Sequence, residues 1–281
     1  MSQQCIAFQG ELGANSHEAC QTYFPDHSPV PHPTFEEAFE AVKSGACQLG
    51  MIPVENSIAG RVTDVHHLLP QSGLRIIGER FKAIRFNLMV NRGVTLETVK
   101  TASSMSIALY QCRETLKRLG LKTEAAADTA GAAKTLSEHP DPSRAAVSPA
   151  LAAQIYGLDI LERDIQDTAN NTTRFLVMTA DKDVSPPADG VDAVTSFVFR
   201  VRNIPAALYK AMGGFATNGV NMTKLESYME GGSFTATLFY AEVDGRPQDP
   251  ALARALEELT FFADHVEVLG SYAADPFRKT L

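Results

Sequence analysis

Apolar and polar positions fall into short blocks along the chain, and the blocks change character near residue 190. Cys5-Ile6-Ala7-Phe8 reads as a strand, followed by a turn with Gly10 and Gly13 and a helical run, His17 to Tyr23, that starts at Ser16. Thr34 with Glu37 three residues on is a capping box. The helix it opens carries Phe35, Ala38, Phe39 and Val42 on one face and ends at Gly45. Leu49 to Val54 is a buried-type strand that delivers Glu55-Asn56-Ser57 to its end, and Val62 to Leu69 suggests a helix. Two strands follow, Leu74 to Arg80 and Phe86 to Val90. A second cycle then runs through a strand at Lys100 to Ala102, a helix from about Met105 to Leu119 capped by Ser103-Ser104, and a strand at Lys122 to Ala126. It continues with an Ala-rich helix capped by Asp128-Thr129, a strand at Ala145 to Val147, a helix at Leu151 to Tyr156, and the segment Asn170 to Met178. Repeated β-α-β units predict an α/β fold in two lobes with a ligand between them.

Asp181 to Asp192 has two prolines, a glycine and no apolar period, and reads as a linker. Beyond it, Thr195 to Val201 alternates with Phe197, Phe199 and Val201 on one face. Pro205 opens a helix to Asn218 with Gly219 as its cap. Met222 to Met229 is a strand, Glu230 to Ser233 a hairpin turn, and Phe234 to Val243 the next strand. Pro250 starts a helix through Phe262, and Val266 to Leu269 is the last strand. The order βαββαβ is ferredoxin-like, and its open sheet edge predicts pairing with another copy.

The 281 residues leave room for two domains, and a composition of 44% hydrophobic and 21% charged residues is that of an ordinary globular protein. A net charge of -8 with no Lys/Arg block argues against nucleic acid or an anionic membrane surface as partner. The first residues carry no basic region, and no run approaches the roughly 18 apolar residues that span a bilayer. A cytoplasmic location is therefore expected. The four cysteines, Cys5, Cys20, Cys47 and Cys112, show no metal-ligand spacing and read as small buried hydrophobes.

Candidate chemistry gathers at three places. Asn170-Asn171-Thr172-Thr173-Arg174-Phe175 sets five polar side chains before the apolar run Leu176-Val177-Met178, without the Gly or Pro of an ordinary surface turn. It reads either as polar groups held for a ligand at a strand mouth or as an Asx/Thr-rich turn. Glu55-Asn56-Ser57 stands at the carboxyl end of a strand, where open α/β sheets bind ligands, although Asn56 and Ser57 also suit a helix cap. The strand-turn-helix around Gly10 and Ser16 resembles an anion cradle but matches neither nucleotide motif. Ser104 and Gln111 are seven residues apart, two helical turns, and so share a helix face. His66 and His67 are adjacent, point in different directions on a helix, and read as surface or core-edge residues.

With these residues in view the chain resembles prephenate dehydratase followed by an ACT regulatory domain. The family's Thr-Arg-Phe signature reads Thr173-Arg174-Phe175, and its Glu-Asn motif stands in Ile52-Pro53-Val54-Glu55-Asn56-Ser57 before Gly60. Its Ser…Gln-Cys element matches Ser104, Gln111 and Cys112, with Met105 where a His is common. The effector loop, usually Gly-Ala-Leu, is Pro205-Ala206-Ala207-Leu208, and the usual Glu-Ser-Arg-Pro is Glu226-Ser227-Tyr228-Met229. The resemblance implies a two-lobed periplasmic-binding-protein-like catalytic domain over 1–181, with lobe 1 about 1–78 and 173–181 and lobe 2 about 79–172. A linker over 182–193 and an ACT domain over 194–276 would follow. It implies conversion of prephenate to phenylpyruvate with no cofactor and no metal. Catalysis is assigned to Thr173, Arg174, Glu55 and Asn56, with Thr173 as donor to the leaving hydroxyl and Glu55 as the rival acid. Ser57, Ser104, Gln111, Phe175, Gly10 and Ser16 would bind substrate. Phenylalanine would be held by Asn203, Pro205, Ala206, Ala207, Leu208, Asn221, Leu225, Glu226 and Ser227 between two copies of a homodimer or homotetramer. Arogenate dehydratase or a dual-specificity cyclohexadienyl dehydratase is the alternative within the class. A non-catalytic amino-acid sensor is the alternative outside it.

Overall fold

The computed structural model describes residues 4–229 and 236–280. The hairpin turn expected at 230–233 and the strand start expected at Phe234 lie outside the described residues. In chain order the elements are β1 (Cys5–Gln9), α1 (Asn15–Tyr23), β2 (Ser28–His32), α2 (Phe35–Lys43), β3 (Leu49–Asn56), β4 (Gly60–Arg61), α3 (Thr63–Leu68), β5 (Arg75–Ala83) and β6 (Asn87–Val90). There follow β7 (Thr101–Met105), α4 (Ser106–Gln111), α5 (Arg113–Arg118), β8 (Lys122–Ala126), α6 (Thr129–Glu138), β9 (Arg144–Ser148), α7 (Ala150–Tyr156), β10 (Asp159–Glu162) and β11 (Thr172–Thr179). The last six are β12 (Ala193–Val201), α8 (Ala207–Thr217), β13 (Met222–Met229), β14 (Ala236–Asp244), α9 (Pro250–Phe262) and β15 (Ala263–Ala273). The chain forms two compact units, one of residues up to 62 with 81–175, the other of 63–80 with 176 onward.

The strands up to residue 179 form two sheets. One runs β2-β1-β3-β11-β5 with β4 beside β3, and the other runs β10-β6-β9-β7-β8. β1 is parallel to both neighbours, with Ile6 opposite Leu49 on one side and Pro29 on the other. The strand β2 escapes a propensity reading because it contains Pro29 and Pro31. It survives as an edge strand: Ser28 N–H donates to Gln4 O and His32 O accepts from Gly10 N–H. The two prolines fall at alternate positions, where an edge strand needs no donor. The helix α2 opens as expected, with Thr34 Oγ1 accepting from Glu37 N–H at 3.2 Å, and Gly45 follows it at φ +77°.

Three local expectations are corrected. The helix α1 begins at Asn15 with Ala14 as a cap that makes no side-chain bond, so Ser16 is inside the first turn and not its cap. Ser103 and Ser104 lie in β7, not at a helix start, and α4 begins at Ser106. Ser104 and Gln111 therefore do not share a helix face. Pro205 precedes α8, whose cap is Ala206 in the left-handed region at φ +61°.

The second unit carries the antiparallel sheet β13-β14-β12-β15, the strand order of a ferredoxin-like βαββαβ fold. Phe197, Phe199 and Val201 pack with Ala211, Phe215, Leu252 and Leu259 beneath α8 and α9, as the alternation predicts. The opposite face is also buried, because residues 63–80 and the C-terminal residues cover it. Glu79, 0% exposed, takes a bidentate contact from Arg278 at 2.5 and 2.9 Å, and Arg278 also reaches Glu242 at 3.1 Å. A Cβ on Gly270 would lie 2.0 Å from Ile76 O, so the backbones approach there as only glycine permits. His66 is not at the surface or core edge. It is buried, with Nδ1 2.8 Å from Tyr228 Oη, whereas His67 is exposed.

Candidate functional site

The carboxyl end of β3 and the start of β11 lie side by side in the first unit, and β-pleating decides which side chains meet. Asn56 Nδ2 donates to Thr173 Oγ1 at 3.0 Å, to Asn171 Oδ1 at 2.7 Å and to Thr172 O at 3.2 Å. An amide nitrogen has two hydrogens, so three acceptors share them. The Asn56 Oδ1 accepts from Ile58 N–H at 3.0 Å and Ala59 N–H at 2.9 Å, which fixes which end of the carboxamide faces Thr173. These two bonds also show that Asn56 caps the turn and serves the site at once.

Gln111, at the end of α4 in the other sheet's layer, completes the cluster. Its Nε2 lies 3.3 Å from Asn56 Oδ1, and its Oε1 accepts from Asn171 Nδ2 at 3.0 Å. Asn171 is 0% exposed and touches both other carboxamides, and its backbone O accepts from Ile84 N–H at 2.8 Å. The sequence alone does not single out Asn171 as this centre. The signal was present in the unbroken polar run that precedes Phe175. Ser57 latches the same strand entrance: its Oγ donates to Asn170 O at 2.9 Å and accepts from Thr172 N–H at 3.0 Å, and its N–H donates to Thr172 O at 2.9 Å.

The Arg174 guanidinium, 3% exposed, lies 2.9 Å from Glu55 Oε1 and 5.8 Å from the Phe81 ring centroid. The pair engages Glu55 as a carboxylate. Ser104 is fully buried and its Oγ donates to Val147 O at 2.6 Å, while Phe175 is buried in the strand behind Thr173. Gly10 turns at φ +115°, and Ser16 is buried in the first turn of α1. Beside them His17 stacks on Phe8 with ring centroids 5.5 Å apart and accepts from Gly13 N–H at 2.9 Å through Nδ1. Burial holds its pKa below the ordinary value, against the raising effect of Glu18. Burial, with Asp167 nearby, pushes the Cys112 thiol up to about 12, so it is inert as a nucleophile.

In the second unit the residues expected to hold an effector occupy a loop and an edge strand. Asn203 and Pro205 are exposed in the loop that leads through Ala206 into Ala207 and Leu208 of α8. Leu225, Glu226 and Ser227 lie on β13, at the sheet edge, with Leu225 42% exposed, and Asn221 Nδ2 donates to Asp244 Oδ2 at 2.7 Å. Among the described residues no cluster of His, Cys, Asp or Glu is placed to hold a metal ion. None of their helices is long and apolar enough to cross a membrane.

A site made of carboxamides and one threonine hydroxyl binds and orients through neutral hydrogen bonds. It can hold a hydrogen-bond donor on a departing oxygen. The comparisons agree with that chemistry. A bifunctional N-acyl-homoserine lactone acylase/prephenate dehydratase of Komagataeibacter europaeus is 46% identical over 277 residues, 99% of this chain and 98% of that one. Arogenate dehydratase/prephenate dehydratase 2 of Arabidopsis thaliana is 38% identical over 281 residues, 96% of this chain and 73% of that one. Among solved structures, a prephenate dehydratase of Arthrobacter aurescens in complex with L-Phe superposes with TM-score 0.88 at 30% identity, covering 96% of this chain and 90% of its own. That architecture is the two-lobed, periplasmic-binding-protein-like α/β fold. The prephenate dehydratase family model matches residues 6–183, from β1 through the Thr173-Arg174-Phe175 strand, and with it the chain belongs to the prephenate dehydratase family of water-eliminating lyases.

Proposed function

We propose that this protein converts prephenate to phenylpyruvate, carbon dioxide and water for L-phenylalanine biosynthesis in the cytoplasm, with Thr173 as donor to the departing ring hydroxyl. The observation that carries this reading is the 3.0 Å bond from Asn56 Nδ2 to Thr173 Oγ1. A threonine hydroxyl is a weak acid alone. When its oxygen accepts a bond from a fixed amide, its own O–H becomes a better donor and is aimed away from that amide. Decarboxylation sends an electron pair into the ring, the ring hydroxyl leaves, and the ring becomes aromatic. The residues then need to align substrate and hydrogen-bond the leaving oxygen. Gln111 and Asn171 hold Asn56 in place, and Ser57 pins the strand entrance. Arg174 backs the site through Glu55, which argues against Glu55 as the acid.

The regulatory reading assigns residues 194–276 to an ACT domain that binds phenylalanine between two copies, in a homodimer or homotetramer. Asn203 to Leu208 of one copy and Leu225 to Ser227 of the other would make the contacts. Exposed Ile204, Leu225 and Met229, at 52%, 42% and 63%, support a covered edge in the assembly. The arogenate dehydratases among the relatives support arogenate as a second substrate. The acylase in the name of the Komagataeibacter relative supports testing an N-acyl-homoserine lactone as a third.

The deciding experiment is a steady-state assay of wild type, Thr173→Ala, Thr173→Ser and Glu55→Gln on prephenate and arogenate, with and without phenylalanine, and on an N-acyl-homoserine lactone. Losing one oriented donor in such a site costs about 10²–10³ in rate. Thr173→Ala is expected to lose that much on the preferred substrate, with Thr173→Ser recovering part of it. Normal turnover by Thr173→Ala alongside an inactive Glu55→Gln would overturn the assignment.

A further inference from the structure

We propose that Cys5 and Cys47 form a thiol–disulfide site that a low-molecular-weight disulfide, such as glutathione disulfide, closes into an intramolecular bond. Cys5 opens β1, and Cys47 stands in the turn that leads into β3, its parallel neighbour. Their sulfurs are 2.7 Å apart, and Cys5 Sγ is 3.1 Å from Ala46 O. Both backbones are tied. The Cys5 N–H donates to Gln48 Oε1 at 2.7 Å, and the Cys47 N–H donates to Ala41 O at 2.9 Å. The register that sets Ile6 opposite Leu49 holds the two chain segments at neighbouring-strand distance. Such strands lie about 4.8 Å apart, inside the roughly 4.4–6.8 Å between Cα atoms that a disulfide spans. The sequence alone, with 41 residues between the two cysteines, reads both as isolated hydrophobes. The fold makes them a pair.

The two thiols differ in access. Cys5 is half-buried and Cys47 is buried, so a soluble disulfide meets Cys5 first. Burial, and then the Cys5 thiol beside it, hold the Cys47 pKa above its ordinary value. In the first step the Cys5 thiolate attacks one sulfur of R–S–S–R, forming Cys5–S–S–R and releasing RS⁻. In the second, Cys47 loses its proton to that RS⁻ and attacks Cys5 Sγ, expelling the second RS⁻, which solvent protonates. Two protein thiols are oxidised and one small disulfide is reduced to two thiols. Cys20 and Cys112 are fully buried with thiols pushed well up by burial, which leaves them out of this exchange.

The pair sits at the amino ends of β1 and β3, whereas Asn56 closes the other end of the eight-residue β3. At about 3.3 Å per residue that is roughly 25 Å away. A bond there ties a span of 42 residues, from β1 to the entrance of β3, and restricts mainly the unfolded chain. The expected signature is therefore a higher Tm with unchanged turnover.

The test incubates the full-length protein with glutathione disulfide, quenches in acid, alkylates under denaturing conditions and maps peptides without reduction. Wild type is expected to lose two alkylatable thiols, to yield a Cys5–Cys47 cross-linked peptide, and to gain several degrees in Tm that a reductant reverses. Cys47→Ser should stop at glutathione on Cys5, and Cys5→Ser should stay unmodified. Four alkylatable thiols in treated wild type, persistent glutathione on Cys5 without the cross-link, or a link through Cys20 or between chains would each refute the proposal. The wild-type map stands alone even where a serine variant folds poorly.

Discussion

Replacing Asn171 by Ala removes a carboxamide that is 0% exposed and that joins Asn56 to Gln111 through bonds of 2.7 and 3.0 Å. Two neutral hydrogen bonds contribute about 1 kcal/mol each, and leaving the buried Gln111 carbonyl without this donor adds about 1 kcal/mol more. The expected loss of stability is about 3 kcal/mol, or a drop of about 6–12 °C in Tm for a domain of this size. Asn171 touches no substrate atom in the proposed arrangement, so its effect on chemistry acts through the orientation of Asn56. Loosening a catalytic group by a fraction of an ångström to about 1 Å lowers the rate by about 10- to 100-fold. Asn171→Ala should thus lower kcat by that factor while KM stays within about threefold, because no binding contact is removed. The assay is steady-state turnover of prephenate at a temperature where circular dichroism shows the variant folded. A kcat within twofold of wild type, or a rise in KM alone, would refute the idea that Asn171 positions the donor.

Three further outcomes follow from the geometry. Arg278→Met leaves Glu79 and Glu242, both buried, without the guanidinium that bridges them at 2.5–3.1 Å, and should cost about 3–5 kcal/mol by urea unfolding. Ala206→Gly replaces an alanine held at φ +61° by the residue that tolerates that backbone, and should raise stability by about 0.5–1 kcal/mol in the same measurement. Buried His17 has a lowered pKa, so the unfolded chain takes up the proton first. Its contribution to stability is full above the ordinary value of 6.5 and is lost as pH falls from there through the lower folded value. His17→Gln, which keeps an acceptor for Gly13 N–H, should flatten the stability profile below about pH 6.5.

Periodicity made most of the fold legible. The Thr34 cap, the Asp128 cap and Pro250 at the first turn of α9 are local signals set within a few residues, and all three hold. What failed was set by distant partners. Ser103-Ser104 has the composition of a cap, but the strand neighbours on β8 and β9 claim it for β7. Pro29 and Pro31 count against a strand until the edge position of β2 is known. His66 looked peripheral because its cover, Tyr228, is 162 residues away. At the site, the residue types at Asn56, Gln111 and Thr173 were readable, whereas the convergence of two carboxamides, Asn56 and Gln111, on Asn171 depends on contacts across 115 and 60 residues.

The signature Thr173-Arg174-Phe175 gains a mechanical sense from the pleat of β11 against β3. Successive strand residues point to opposite faces. Asn56 and Thr173 meet on one face at 3.0 Å, while Glu55 and Arg174 meet on the other at 2.9 Å. A slip of one residue in this antiparallel pairing would bring Arg174 towards Asn56 and Thr173 towards Ser57, taking a 3% exposed guanidinium away from the Glu55 carboxylate. The ion pair thus penalises every register except the one that sets the threonine hydroxyl on the amide. Arg174 is then best understood as the lock behind the donor, and the two neighbouring residues divide the work: one makes the hydrogen bond, and the other fixes where it is made.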